Sequence, residues 1–129
     1  MSKILGIDYG SVRVGTALSN DDQTIAFPRV TIESKEEVYE PHIEELIETE
    51  NVSEIVIGLP LGFDGGDTTM TGKARVFAKN IEQKFGIPVV LQNEVLSSKM
   101  AGQHISDKKL LDARAAALIL QSYLDRRKM

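Results

Sequence analysis

Three carboxylates stand at positions from which they could do chemistry together. Asp8 closes an apolar, β-branched run, Ile4 to Ile7, that reads as a buried strand. Glu94 follows a second run of this kind, Pro88 to Gln92. Asp112 falls on the apolar stripe of a C-terminal helix with Ala115, Ala116, Ile119, Leu120 and Tyr123, at the spacing of one helical face. A carboxylate on an inward face is costly unless it is paired or binds a metal. Near a helix N-terminus, as here, it also gains from the helix dipole, and that alternative stays open. Hard divalent cations such as Mg²⁺ or Mn²⁺ take carboxylate oxygens. Two such ions, ~3.5–4 Å apart, activate water and stabilise the leaving oxygen in phosphodiester hydrolysis. Ligands for two ions must come from separate elements, and these three do.

The surroundings of Asp8 add to this. Gly10 and Gly15 bracket a turn in which backbone can approach a phosphate closely, and Arg13 offers a planar donor fork. Strand, Asp-Gly turn and strand also describe an ordinary hairpin. A strand that ends on an acid nevertheless puts charge at the sheet edge where α/β proteins bind ligands.

The remaining elements must position these groups. Val14 to Leu18 starts a second strand, and Thr24 to Glu33 a third, with Pro28 marking it as an edge. These three form an antiparallel meander. Ser34 and Glu37 have the spacing of a capping box for a helix reaching about Thr49, in which Pro41 marks either a kink or the first turn. The acids crowding that helix, Glu36 to Glu50, read as a solvated face. Glu54 to Pro60 is a strand buried on both faces. A glycine-rich loop follows, without the Gly-Lys-Ser/Thr of a P-loop. Thr68, Thr69 or Thr71 caps the next helix, which Gly86 and Pro88 end. The last helix covers about Asp107 to Arg127.

The 129 residues suggest one domain spanning the chain. There is no cysteine, which excludes disulfides and thiolate metal sites and fits a reducing compartment. No apolar run approaches a membrane span, and the N-terminus does not read as a signal peptide, so a cytoplasmic protein is expected. The net charge of −4 argues against a uniformly basic nucleic-acid binder. Residues 1–94 carry 8 Lys/Arg against 16 Asp/Glu, whereas residues 95–129 carry 7 against 3. Lys99, Lys108, Lys109 and Arg114, with Arg13 and Gly10, are the candidate phosphate-backbone contacts on that basic segment and beside Asp8.

Three motifs carry a family resemblance: Asp8 to Ala17 (DYGSVRVGTA), Ile55 to Leu61 (IVIGLPL) with its glycine loop, and Asp112 to Asp125 (DARAAALILQSYLD). On these, in this order, the chain resembles the YqgF/RuvX family, described both as pre-16S rRNA nucleases and as Holliday junction resolvases. The resemblance implies an RNase H-like α/β fold, with a five-stranded mixed sheet flanked by helices. It implies a metal-dependent nuclease with Asp8, Glu94 and Asp112 as both catalytic and metal-binding acids and Mg²⁺ or Mn²⁺ as cofactor. It implies a nucleic-acid partner, structured RNA such as pre-rRNA or branched DNA, and leaves association with the ribosome open. One motif departs: where the family has Asp-Glu-Arg, this chain has Asn93-Glu94-Val95. Glu94 keeps the ligand, while Asn93 and Val95 each remove a charge. A nuclease that binds divalent metal but is slow is one expectation from that change; a nucleic-acid-binding protein of the same fold with weakened or no catalysis is the other.

Overall fold

In the computed structural model, which describes residues 2–94 and 108–127, one mixed sheet carries every strand. Its strands are β1 (Lys3–Tyr9), β2 (Arg13–Ser19), β3 (Ala26–Glu33), β4 (Val52–Pro60) and β5 (Val89–Glu94), in the order β3-β2-β1-β4-β5. The first three pair antiparallel, as hairpin connections require, and β4 and β5 join parallel to β1 through helices. The expected RNase H-like five-stranded mixed sheet is therefore present.

The helices are α1 (Glu36–Glu50), α2 (Thr69–Phe85) and α3 (Lys108–Arg127). Strand alternation divides the apolar residues between two faces. Leu5, Ile7, Ile55 and Ile57 face one way and pack with Tyr39, Ile43 and Leu46 of α1 and Phe77, Ala78 and Ile81 of α2. Ile4, Ala17 and Val56 face the other way and pack under Ala116, Ile119, Leu120 and Leu124 of α3. The sheet is thus covered on both sides, which explains why β4 is apolar without alternation.

Several boundaries differ from expectation for local reasons. The Asn20 carboxamide oxygen accepts the N–H groups of Thr24 and Ile25 at 2.8 and 3.0 Å, so those residues close a turn and β3 starts at Ala26. The Ser34–Glu37 capping box does not form. Ser34 donates its backbone N–H to Val12 at 2.9 Å, tying it to the β1–β2 turn, and the N-cap passes to Lys35 without a side-chain cap. Pro41 lies inside α1 and neither starts nor ends it. Thr68 does cap α2, with Thr71 returning the bond as the second half of a capping box. The Thr71 hydroxyl is also donated to the carbonyl of Pro60, which fastens the start of α2 to the end of β4. β5 extends past Gln92, so Glu94 is its last residue. Among the described residues, no helix is long and apolar enough to cross a membrane.

Candidate active site

Asp8 is the penultimate residue of β1, an even number of residues from Ile4, and so points to the α3 side. Its neighbour on β2 in the pairing register is Gly15. A Cβ on Gly15 would stand 2.1 Å from the backbone carbonyl oxygen of Asp112, so α3 descends onto the sheet here only because that position has no side chain. Gly58 does the same on the other flank. It follows Ile57, the β4 partner of Ile7, and a Cβ there would meet a Glu94 carboxylate oxygen at 2.6 Å. Glu94, buried at the end of β5, therefore lays its carboxylate back over Gly58 on the α3 side. The two glycines bring the second and third acids toward the first.

The consequence is electrostatic. Burial, and then the charges of Glu94 and Asp112, push the Asp8 carboxyl up from 3.8 to about 7. Both other acids act on Asp8, so the three elements converge as the sequence spacing suggests.

The site is not a preformed cage. Among the described residues no three acidic or histidine side chains stand together as a ready metal-binding group. Asp112 is turned to Arg13, whose Nε donates to Oδ2 at 2.6 Å with both side chains partly exposed. Arg13, expected to meet phosphate, is here paired with the candidate metal ligand Asp112. The Gly10 N–H is likewise used within its turn, donated to the Arg13 carbonyl at 2.9 Å. Arg114 is exposed on the flank of α3 that faces the β3 edge, beside Ala26 and Pro28, away from Asp8. Lys108 and Lys109 lie in the first turn of α3, and Lys99 and Val95 fall outside the described residues. Asn93 is exposed at the end of β5.

As a donor set the three carboxylates fit a hard divalent cation. Asp8 is held half-protonated near neutral pH by burial and then by the charges of Glu94 and Asp112, and a cation would relieve both.

The model of the RuvX family, described as Holliday junction resolvase, matches residues 2–126. The chain belongs to the RuvX family. Its similarity to individual relatives is equally extensive. A protein of Maridesulfovibrio salexigens named "Putative pre-16S rRNA nuclease" is 41% identical, over 96% of this chain and 98% of that one. Among solved structures, Thermus thermophilus RuvC in complex with a Holliday junction substrate superposes with a TM-score of 0.61 at 12% identity, covering 99% of this chain and 96% of that one. The fowlpox virus resolvase in complex with Holliday junction DNA gives 0.54 at 9% identity, covering 98% and 99%. These structural likenesses establish the fold, an RNase H-like resolvase architecture. Family membership makes the chain a nuclease-family protein, a hydrolase of phosphodiester bonds.

Sequence reasoning missed two things. The Arg13–Asp112 pair joins residues 99 apart, and nothing local announces it. The clearance role of Gly58 is also silent, although a glycine inside an otherwise β-branched strand is a general sign of close approach.

Proposed function

We propose that this chain is a divalent-metal-dependent nuclease, a single RNase H-like domain over residues 1–129, that acts in the cytoplasm on structured RNA, with the 5′ end of pre-16S rRNA as its substrate. The observation that carries the reading is the convergence of Asp8, Glu94 and Asp112 from two parallel strand ends and one helix, recorded in the pKa of Asp8 of about 7. Carboxylates brought together from three elements are what a site for Mg²⁺ or Mn²⁺ requires. When bound, the metal supplies an activated water and stabilises the leaving oxygen.

The chain's own residues do the rest. Glu94 is fixed by burial and by the close packing over Gly58, so its carboxylate needs little reordering. Asp8, whose pKa is raised by burial and then by Glu94 and Asp112, would give up its proton when a cation is held there. Arg13 leaves Asp112 for an incoming phosphate, exchanging one carboxylate partner for another oxyanion of similar geometry. Lys108 and Lys109, in the first turn of α3 just before Asp112, supply positive charge for the phosphate backbone, and Lys99 adds to it in sequence, whereas Arg114, on the β3 flank, would serve only a strand that runs beyond the acids.

Holliday junction resolution is the second reading, supported by the family's description. A panel of labelled RNAs and branched DNAs, incubated with Mn²⁺ or Mg²⁺, separates the two. Cleavage of RNA that is lost in Asp8→Asn supports the first; selective cleavage of junctions supports the second. Tight RNA binding without any cutting would leave a binding protein and remove both.

A further inference from the structure

Strand alternation sends Tyr9, the residue after Asp8, to the opposite face of the sheet. There it stacks on Phe77 of α2, with ring centroids 4.3 Å apart and planes at 20°, and Tyr39 of α1 meets the same Phe77 edge-on at 5.1 Å. Beside this aromatic group lies a groove of about 640 Å³, bordered by Ser11 of the β1–β2 turn and by Lys73, Val76 and Asn80 of α2. The groove is open to solvent at the sheet edge that carries the acids, since α2 starts where β4 ends.

Its chemistry is mixed in a particular way. Among the described residues Lys73 is the one charged residue that lines it, and Lys73 enters no ion pair with them. Val76 is 61% exposed, an apolar surface without a cover. The depression on α1 is lined by Glu36, Glu37, Glu40 and Glu44 with one cation, Lys84, which pairs with Glu40 at 3.7 Å, so its balance stays negative. Phosphate is therefore favoured on the α2 wall and repelled from the α1 side. Lys73 and Val76 on the α2 wall, with Tyr9 and Ser11 from β1 and its turn, suit a nucleotide, with its phosphate on Lys73 and its base between Tyr9 and Val76. A double-stranded segment does not fit, because its bases are not free to enter.

We propose that this groove binds an unpaired nucleotide of the substrate strand, next to the bond presented to Asp8 on the other face of β1. The proposal rests on the nuclease reading given above and adds to it that the substrate is single-stranded beside the cut. The strand crosses the sheet edge over the β1–β2 turn, with one nucleotide held on the Tyr9 side and the neighbouring phosphate over the acids. An α1 with so many acids keeps the rest of that face clear of nucleic acid, which gives the strand one path.

The test uses the full chain and a short labelled single-stranded RNA, in EDTA for binding and in Mn²⁺ for cleavage. Two surface variants probe the groove: Lys73→Glu reverses its charge, and Val76→Trp fills it. Thermal melting checks that both remain folded. Each variant should weaken RNA binding about 5-fold or more, the loss expected from one stacked base. KM should rise more than kcat falls, and a fully base-paired RNA should bind equally well to wild type and variants. Amide shifts on adding uridine monophosphate should centre on Gly72, Lys73, Val76 and Asn80. Unchanged single-strand affinity and KM in both variants, with a wild type that cuts, would overturn the groove and leave the nuclease reading standing. A wild type that binds through the groove but cuts nothing would overturn the nuclease reading and support the groove.

Discussion

Replacing Asp8 by Asn should stabilise the protein at neutral and alkaline pH, and the gain should vanish in acid. In the unfolded chain an aspartate ionises at its ordinary value of 3.8, whereas in the fold burial, Glu94 and Asp112 hold Asp8 protonated to about 7. Below pH 3.8 the carboxyl is neutral in both states and costs nothing. Between the two values the unfolded state loses the proton and the folded state keeps it, so stability falls as pH rises. Above pH 7 the folded state holds an unwelcome charge and the penalty is complete. A pKa rise of about three corresponds to at most about 4 kcal/mol, and salt lowers it further because the site is partly open. Urea melts of wild type and Asp8→Asn across pH 4–9 measure the difference directly. The curves should coincide near pH 4, separate up to about pH 7 and then run parallel. The same linkage makes Mn²⁺ binding release a proton below pH 7, so apparent metal affinity should fall up to about tenfold per pH unit there. A pH-independent difference in stability, or a less stable Asp8→Asn at pH 8, would refute the idea that these three acids crowd one another.

Arg13→Ala should tighten divalent-metal binding in the absence of nucleic acid by up to about tenfold, since it removes a nearby positive charge and frees Asp112; calorimetry measures this. The same variant should lose less than about 1 kcal/mol of stability in urea, as expected for a partly exposed pair. Gly15→Ala should cost about 1–3 kcal/mol, because its methyl meets the Asp112 carbonyl and α3 must lift. Its turnover should fall further than its stability, by about 100-fold, as Asp112 moves away from Asp8. Restoring the family pattern with Asn93→Asp and Val95→Arg should raise turnover at saturating Mn²⁺ by about 10–100-fold, and Asp8→Asn should abolish the gain. A wild type that already cuts at the restored rate would remove the role given to those two positions.

Most of the architecture was legible because it rests on periodicity. Apolar alternation marked β1 and β2, and the continuous run Ile55 to Leu59 marked a strand covered on both faces. Pro28 correctly placed β3 at an edge. The errors came where side chains compete with local rules. Ser34 and Glu37 had the spacing of a capping box, but a tertiary bond from Ser34 to Val12 took the backbone group that the motif needs. The acids were legible by position alone, two at strand ends and one on an inward helix face. What they do to one another was not, because it depends on clearance. Gly15 and Gly58 set how close α3 and Glu94 come to the sheet, and their neighbours are far away in sequence. Arg13 shows the same limit. Its guanidinium was read as a phosphate ligand from its own turn, and only the fold reveals that Asp112 holds it first.

That pairing and the raised pKa of Asp8 describe one charge balance. The chain brings three carboxylates together, Arg13 pairs with one of them, and partial protonation of Asp8 lowers the negative charge further near neutral pH. A site balanced in this way is sensitive to any added positive charge. A cation held by the acids would favour the unprotonated Asp8 and weaken the pull of Asp112 on Arg13, whose guanidinium stands at the start of β2, beside the turn over which a strand would cross. Asp8 and Tyr9 then act from the same two residues of β1 on opposite faces, one toward the acids and one toward the groove on α2. A substrate strand that engages both must bend around the β1–β2 turn. A rigid duplex resists that bend and an unpaired strand does not, so the alternation of one β-strand favours single-stranded substrates before any base is read.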